Sequence, residues 1–266
     1  MGGMTGKVAS VVGAAGRGNM GQVIARRFAE EGARVVVSGR HEEPLRELAE
    51  EIGGDWVLCD LTKKSDIDNM IDTIVDRHGQ LDVAVNASGW GLLKPFVENT
   101  EEDLERMMAL QFKGPFQWLQ KLVQTMDQRG GSIIQISSAT AKIMLDNHAA
   151  YMGTKAGIDH VVRCVANEFG EKGIRANSIS PGLTYSPMTE EHMQSASLVE
   201  TFRKCYPLGR VGTSDDIAAA AVFLASDECF MTGENLQVNG GLCLRRNPRA
   251  HELYEAAVEA GEIPGE

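Results

Sequence analysis

Short apolar runs alternate along the chain with longer segments in which apolar residues recur every three or four positions. The runs Val8 to Val12, Arg34 to Val37, Trp56 to Leu58, Val83 to Val85, Ile133 to Ile136 and Ile174 to Ile179 are short and mostly β-branched, which predicts strands. Between the first two, Met20, Val23, Ile24 and Phe28 share one helical face, while Gln22, Arg26 and Glu30 fall on the other. The spacing predicts a helix to Glu31 that packs one side on a sheet, with Gly32 closing it, and a second helix is expected to reach about Ile52. Near-continuous apolar strands joined by helices are the mark of βαβ units, because a parallel strand covered on both faces has no polar side to show. The expected fold class is α/β: a doubly wound, Rossmann-like parallel sheet with helices on both faces.

Composition narrows this picture. With 266 residues and 43% hydrophobic content the chain can bury a full core, and it shows no repeat, low-complexity tract or linker, so one domain over 1–266 is expected. Residues 1–6 read as a lead-in. Residues 244–266 read as an extension with a short helix from His251 to Ala260, a surface cap or a subunit contact. A net charge of −11 without a basic cluster argues against nucleic acid and anionic membranes as partners. The five cysteines are scattered and none is spaced for a metal or a redox dithiol, so no metal is expected. With no apolar leader or spanning run, the expected location is cytoplasmic.

Directly after the first strand stands Gly13-Ala-Ala-Gly16-Arg17-Gly18-Asn19-Met20-Gly21, opening the first helix. Glycines permit a tight turn and close backbone approach, and a helix N-terminus offers free N–H groups to a pyrophosphate. Such a loop also serves as a plain turn, so its position after the first strand is what points to a dinucleotide. Where an acidic residue would accept from the ribose of NAD, the second strand ends in Ser38-Gly39-Arg40. Arg40 and Arg17 together offer guanidinium groups for a 2′-phosphate, which favours NADP(H) and leaves NAD(H) possible. Asp60 is placed to meet the adenine amino group, or to begin the next helix.

Ser138 at a strand end is followed by Tyr151 and Lys155, four apart and therefore on one helical face. A free phenol is a poor base at neutral pH; a neighbouring ammonium stabilises the phenolate, and a serine hydroxyl fixes the same substrate oxygen. Tyr, Lys and Ser in this order, behind a dinucleotide loop, point to proton transfer coupled to hydride transfer.

These residues resemble the short-chain dehydrogenase/reductase family from about Lys7 to Gly241. The likeness includes Asn86-Ala87-Ser88-Gly89 after the fourth strand, Asn177 to Pro181-Gly182 after the sixth, and Pro207-Leu-Gly-Arg210. The resemblance implies about seven strands, a homotetramer or homodimer, and Lys155 on the nicotinamide ribose. It further implies cofactor contacts from Leu61, Asn86 to Gly89, Pro181, Gly182, Thr184 and Ser186. Gln111 stands where the family commonly has an Asn completing a proton relay, which makes it a candidate catalytic residue. The glycine loop is two residues longer than usual and looks like that of divergent enoyl reductases, although those space Tyr and Lys seven apart. Loops at the strand ends place Trp90, Ile143, Met144, Tyr185 and Met188 around an apolar substrate pocket, with Leu145, Met193, Phe202 and Tyr206 nearby. His148, just before Tyr151, faces substrate or merely stands at the start of the helix. The expected activity is an NADP(H)-preferring interconversion of a ketone and a secondary alcohol; the alternatives are enoyl reduction and a non-catalytic dinucleotide sensor.

Overall fold

The computed structural model describes residues 3–187, 189 and 193–264; Met188 lies outside them. Strands β1 (Val8–Val12), β2 (Arg34–Gly39), β3 (Asp55–Leu58), β4 (Val83–Asn86), β5 (Gly131–Ile136) and β6 (Ile174–Pro181) form where the apolar runs predict them. With a two-residue ladder between β7 (Thr184–Tyr185) and β8 (Gly212–Thr213) set apart, β9 (Asn235–Val238) completes a seven-stranded sheet in the order β3-β2-β1-β4-β5-β6-β9. All its pairings are parallel. This is the expected doubly wound fold. No apolar run announces β9, because it sits half-buried at the sheet edge and carries Asn235 and Gln237.

One face of the sheet is covered by α1 (Met20–Glu30), α2 (Glu42–Ile52) and α8 (Ser214–Ala225). There Ile24, Phe28, Leu45, Leu48, Ile217 and Leu224 pack on the side chains of the central strands. On the other face lie α3 (Lys64–His78), α5 (Gly114–Thr125) and α6 (Ala149–Phe169), burying Ile67, Ile71, Trp118, Leu122, Ile158 and Val162. Two further helices, α4 (Glu101–Met108) and α7 (Ala196–Cys205), flank the carboxyl end of the sheet. Between β1 and β4 the strand order reverses, and the loops after these strands part to open a crevice there.

The C-terminal segment is more than a cap. Helix α9 (Ala250–Glu259) packs on α7, and Glu262 accepts from the hydroxyls of Ser195 and Ser197 and the Ser197 amide at the start of α7. Asn247 donates to the carbonyl of Met144, and Asp146 receives Arg249 and the Ala250 amide. The segment thereby ties α7 to the loop before α6. No described helix is long and apolar enough to cross a membrane.

Candidate active site

The crevice is a cavity of about 770 Å³ running from the end of β2 to α7. At one end the chain leaves β1 with Gly13 at φ +91°, where a Cβ would stand 2.5 Å from the Ser88 amide nitrogen. Gly21 is required for a similar reason: its Cβ would meet the Gly13 carbonyl at 2.6 Å, so helix and strand close on each other only with glycine at both places. Asn19 caps α1, accepting from the Gln22 amide through its side chain and donating to Gly13 O. Buried Gln22 braces the turn by accepting from Gly18 N and donating to Ala14 O. The amides of Met20 and Gly21 in the first turn of α1 have no partner among the described residues, which suits a pyrophosphate.

Gly13, Gly16, Asn19, Met20, Arg40, Asp60 and Leu61 line this end, joined by Ala87, Ser88 and Gly89 and, further along, Pro181, Gly182, Thr184 and Ser186. Asn86 lies behind the wall, fully buried, donating to Gln135 and accepting from the amide and hydroxyl of Ser88. Gly18 and Gly21 likewise shape the loop from behind. Arg17 departs from the expectation that it reaches into the site with Arg40. Its guanidinium forks onto Glu47 at 2.9 and 3.1 Å, with Glu43 at 3.6 Å, because α2 presents two carboxylates directly beside the loop. Arg40 lines the cavity, with no ion pair among the described residues and Asp60 near enough to feel its charge. Although burial opposes it, hydrogen bonds from Thr62 hold the Asp60 carboxyl below its ordinary range.

At the other end Ser138, Tyr151 and Lys155 come together. Ser138 leaves β5 and shares a hydrogen bond with Thr140 at 2.9 Å, and its hydroxyl is also a hydrogen-bonding neighbour of the Tyr151 phenol. The Lys155 ammonium donates to Ile136 O at 2.8 Å and stands 5.5 Å from the centre of the Tyr151 ring. Burial dominates both groups. It pushes the phenol up to about 12, with Ser138 opposing, and brings the Lys155 ammonium down to about 8, with Asp159 opposing. Burial thus outweighs the other influences on the phenol, and Tyr151 rests as a neutral acid.

Gln111 sits in a π-turn, Ala109–Lys113, and is buried. It donates to Thr154 at 3.2 Å and to the Met107 sulfur, and accepts from the Trp90 amide at 3.4 Å. None of these contacts is with Lys155. The Gln111 amide thereby braces the Trp90 loop against α6.

Of the expected substrate residues, Trp90 lines the cavity, with the Arg106 guanidinium 4.0 Å above its ring. Ile143 packs instead beside Phe202 and Tyr206, Met144 and Tyr185 are exposed outside the cavity, and Met188 is not among the described residues. The walls come from Leu93, Leu145, Leu183, Phe202 and Leu242, with His148 and Asn247 as polar points. Two functional neighbours escaped the sequence reading. Asp159 accepts from Ser137 at 2.7 Å and Asn235 at 2.5 Å, and its buried Oδ1 has no partner among the described residues; its place one turn beyond Lys155 was the available signal. Asn247 had no signal, since its buried position depends on how the C-terminal segment folds back.

A phosphate-ready helix start at a topological switch point, leading to a half-buried Ser and Tyr and a buried Lys, defines a dinucleotide-dependent oxidoreductase. A family profile described as Enoyl-(Acyl carrier protein) reductase matches residues 13–243. The chain is 32% identical over 249 residues to D-threitol dehydrogenase of Mycolicibacterium smegmatis, covering 91% of this chain and 95% of that protein. Among solved structures, a short-chain type dehydrogenase/reductase from Mycobacterium ulcerans superposes with a TM-score of 0.88 at 30% identity over 92% of both chains. A gluconate 5-dehydrogenase from Burkholderia cenocepacia, solved with NADP and tartrate, gives 0.86 at 28% identity over 90% of this chain and 96% of that one. The chain belongs to the short-chain dehydrogenase/reductase family. It is an NAD(P)-dependent enzyme acting on CH–OH and C=O groups.

Proposed function

We propose that the enzyme is an NADP(H)-preferring reductase and dehydrogenase that interconverts a ketone and a secondary alcohol. The observation that carries this reading is the juxtaposition of Ser138, Tyr151 and Lys155 at the apolar end of the cavity, continuous with the helix start that suits a pyrophosphate. When bound, a nicotinamide supplies or accepts the hydride. Ser138 and Tyr151 hold the carbonyl oxygen between two hydroxyls, and Tyr151, a neutral acid at rest, releases its proton to that oxygen as negative charge develops. Lys155 stabilises the phenolate left behind. In the opposite direction Tyr151 acts as the base.

Preference for the phosphorylated cofactor rests on Arg40, which follows Gly39 where an NAD site would carry an acidic residue at the end of the second strand. The similarity to gluconate 5-dehydrogenase with NADP is consistent with this, and the names of both relatives denote alcohol oxidation. Enoyl reduction is favoured by the lengthened glycine loop and the name of the matching family profile; the four-residue Tyr151 to Lys155 spacing and the presence of Ser138 weigh against it. Exposed Leu104, Met108 and Phe116 on α4 and α5 suit contact between copies of the chain, so size-exclusion chromatography should give a dimer or tetramer.

The test is oxidation of NADPH and, separately, NADH against small ketones, bulky cyclic ketones and enoyl thioesters. Turnover of ketones with NADPH favoured supports the proposal. Turnover of enoyl thioesters alone overturns it.

A further inference from the structure

The imidazole of His148 lies against the Tyr151 ring, centroids 4.2 Å apart and planes 27° from parallel. Three features fix it there. Asn147 takes the left-handed conformation at φ +60°, which asparagine tolerates better than most residues and which turns the chain sharply into α6. The Asn147 carbonyl accepts from Lys94 N at 2.7 Å, and His148 Nδ1 stands 2.8 Å from Leu92 O, so the turn and the Trp90 loop are stitched together. A carbonyl only accepts, so Nδ1 carries the hydrogen in that bond. Burial lowers the imidazole pKa, which keeps the ring neutral and leaves Nε2 with a lone pair. Nε2 has no hydrogen-bond partner among the described residues, and His148 lines the cavity.

An acceptor at that place selects a donor. The described residues lining this end include no carboxylate, while Lys155 stands close by, so a cationic donor is disfavoured and a neutral one fits. Trp90, Leu145 and Phe202 line the same cavity with apolar surface. The two rings stack with centroids 4.2 Å apart, so a substrate held at the Tyr151 phenol lies beside the His148 imidazole. We infer that His148 Nε2 accepts a hydrogen bond from a hydroxyl on the carbon next to the reacting carbon, so that the substrates are α-hydroxy ketones and the corresponding vicinal diols in a largely apolar frame. This rests on the carbonyl reading given above and narrows it: Tyr151 and Ser138 hold the oxygen that reacts, and His148 holds the one that does not.

The experiment compares NADPH-dependent reduction of α-hydroxyacetophenone, α-methoxyacetophenone and acetophenone by the native enzyme and by His148→Leu. The methoxy compound withdraws electrons much as the hydroxy compound does but has no hydrogen to donate. The native enzyme is expected to favour the hydroxy ketone over the methoxy ketone by roughly ten- to a hundredfold in kcat/KM, the range for one hydrogen bond made or lost in a largely apolar site. His148→Leu is expected to erase that ratio, read within the variant because it also loses the bond to Leu92 O, and a native circular-dichroism spectrum shows that the variant folds. Equal native rates on the hydroxy and methoxy ketones, or a ratio that survives in His148→Leu, overturn the assignment of His148 and leave the carbonyl reading standing. Reduction of none of the three ketones by the native enzyme overturns both.

Discussion

The two ends of the cavity are built on different plans. The cofactor end is made from backbone: a loop of consecutive residues, Gly13 to Gly21, whose shape follows from close approaches that only glycine allows and from a helix start capped by Asn19. The substrate end is made from side chains drawn from four distant segments: Trp90 and Leu93, Leu145 and His148, Phe202, and Asn247. These are held by bonds such as His148 to Leu92 O and Asn247 to Met144 O. A backbone site tolerates change at most of its side chains and fails at its glycines. A side-chain site can be retuned one residue at a time, which is how one fold serves many substrates.

The comparison breaks most visibly at the residue where the two ends meet. Tyr151→Phe should lower kcat by about 10²- to 10⁴-fold while leaving NADPH affinity within about twofold, because only the proton donor is lost. Stopped-flow turnover and fluorescence titration of NADPH check the two halves of that statement. At the cofactor end, Arg40→Asp should move the NADPH to NADH ratio of kcat/KM by roughly ten- to a hundredfold toward NADH, since a charge-assisted contact is replaced by repulsion. Arg17→Ala should move it by less than about threefold, because its guanidinium is engaged by Glu47. Equal effects of the two substitutions would mean that Arg17 leaves Glu47 when the cofactor binds.

A pH profile sharpens the picture further. Burial sets the Lys155 pKa at about 8, so its ammonium is present below that pH and lost above it; reductive kcat/KM should hold in the acidic range and fall as pH rises past about 8. Asp159, which faces Lys155 and is itself held by Ser137, Ser178 and Asn235, favours the charged lysine. Asp159→Asn should therefore shift the fall to lower pH, a change that loss of packing alone would not produce. A small effect is expected at the substrate end: Arg106→Ala removes the cation over Trp90 and should raise KM by about two- to fivefold with kcat nearly unchanged.

What could be read from the sequence follows the same division. The six apolar strands, the first helix and the glycine loop depend on local patterns, so they stand where the chain alone places them. Ser138, Tyr151 and Lys155 meet because a strand end and one helical face are fixed by those patterns. The direction of a long side chain is different. Arg17 turns to α2 because Glu43 and Glu47 face the loop, and the Gln111 amide meets the Trp90 amide, Thr154 and the Met107 sulfur. Ile143, Met144 and Tyr185 sit in the right loops but do not line the cavity, whereas Asn247 enters from the C-terminal segment through contacts more than a hundred residues apart in the chain.

The central claim is that the Tyr151 group delivers its proton to a carbonyl oxygen while hydride goes to the carbon bearing it. A cyclic enone offers the enzyme both a C=C and a C=O bond, and NADPH deuterated at its transferable position records which one is attacked. The account predicts an allylic alcohol with deuterium on the carbinol carbon, formed by the native enzyme and not by Tyr151→Phe. A saturated ketone with deuterium on the ring carbon β to the carbonyl would contradict it.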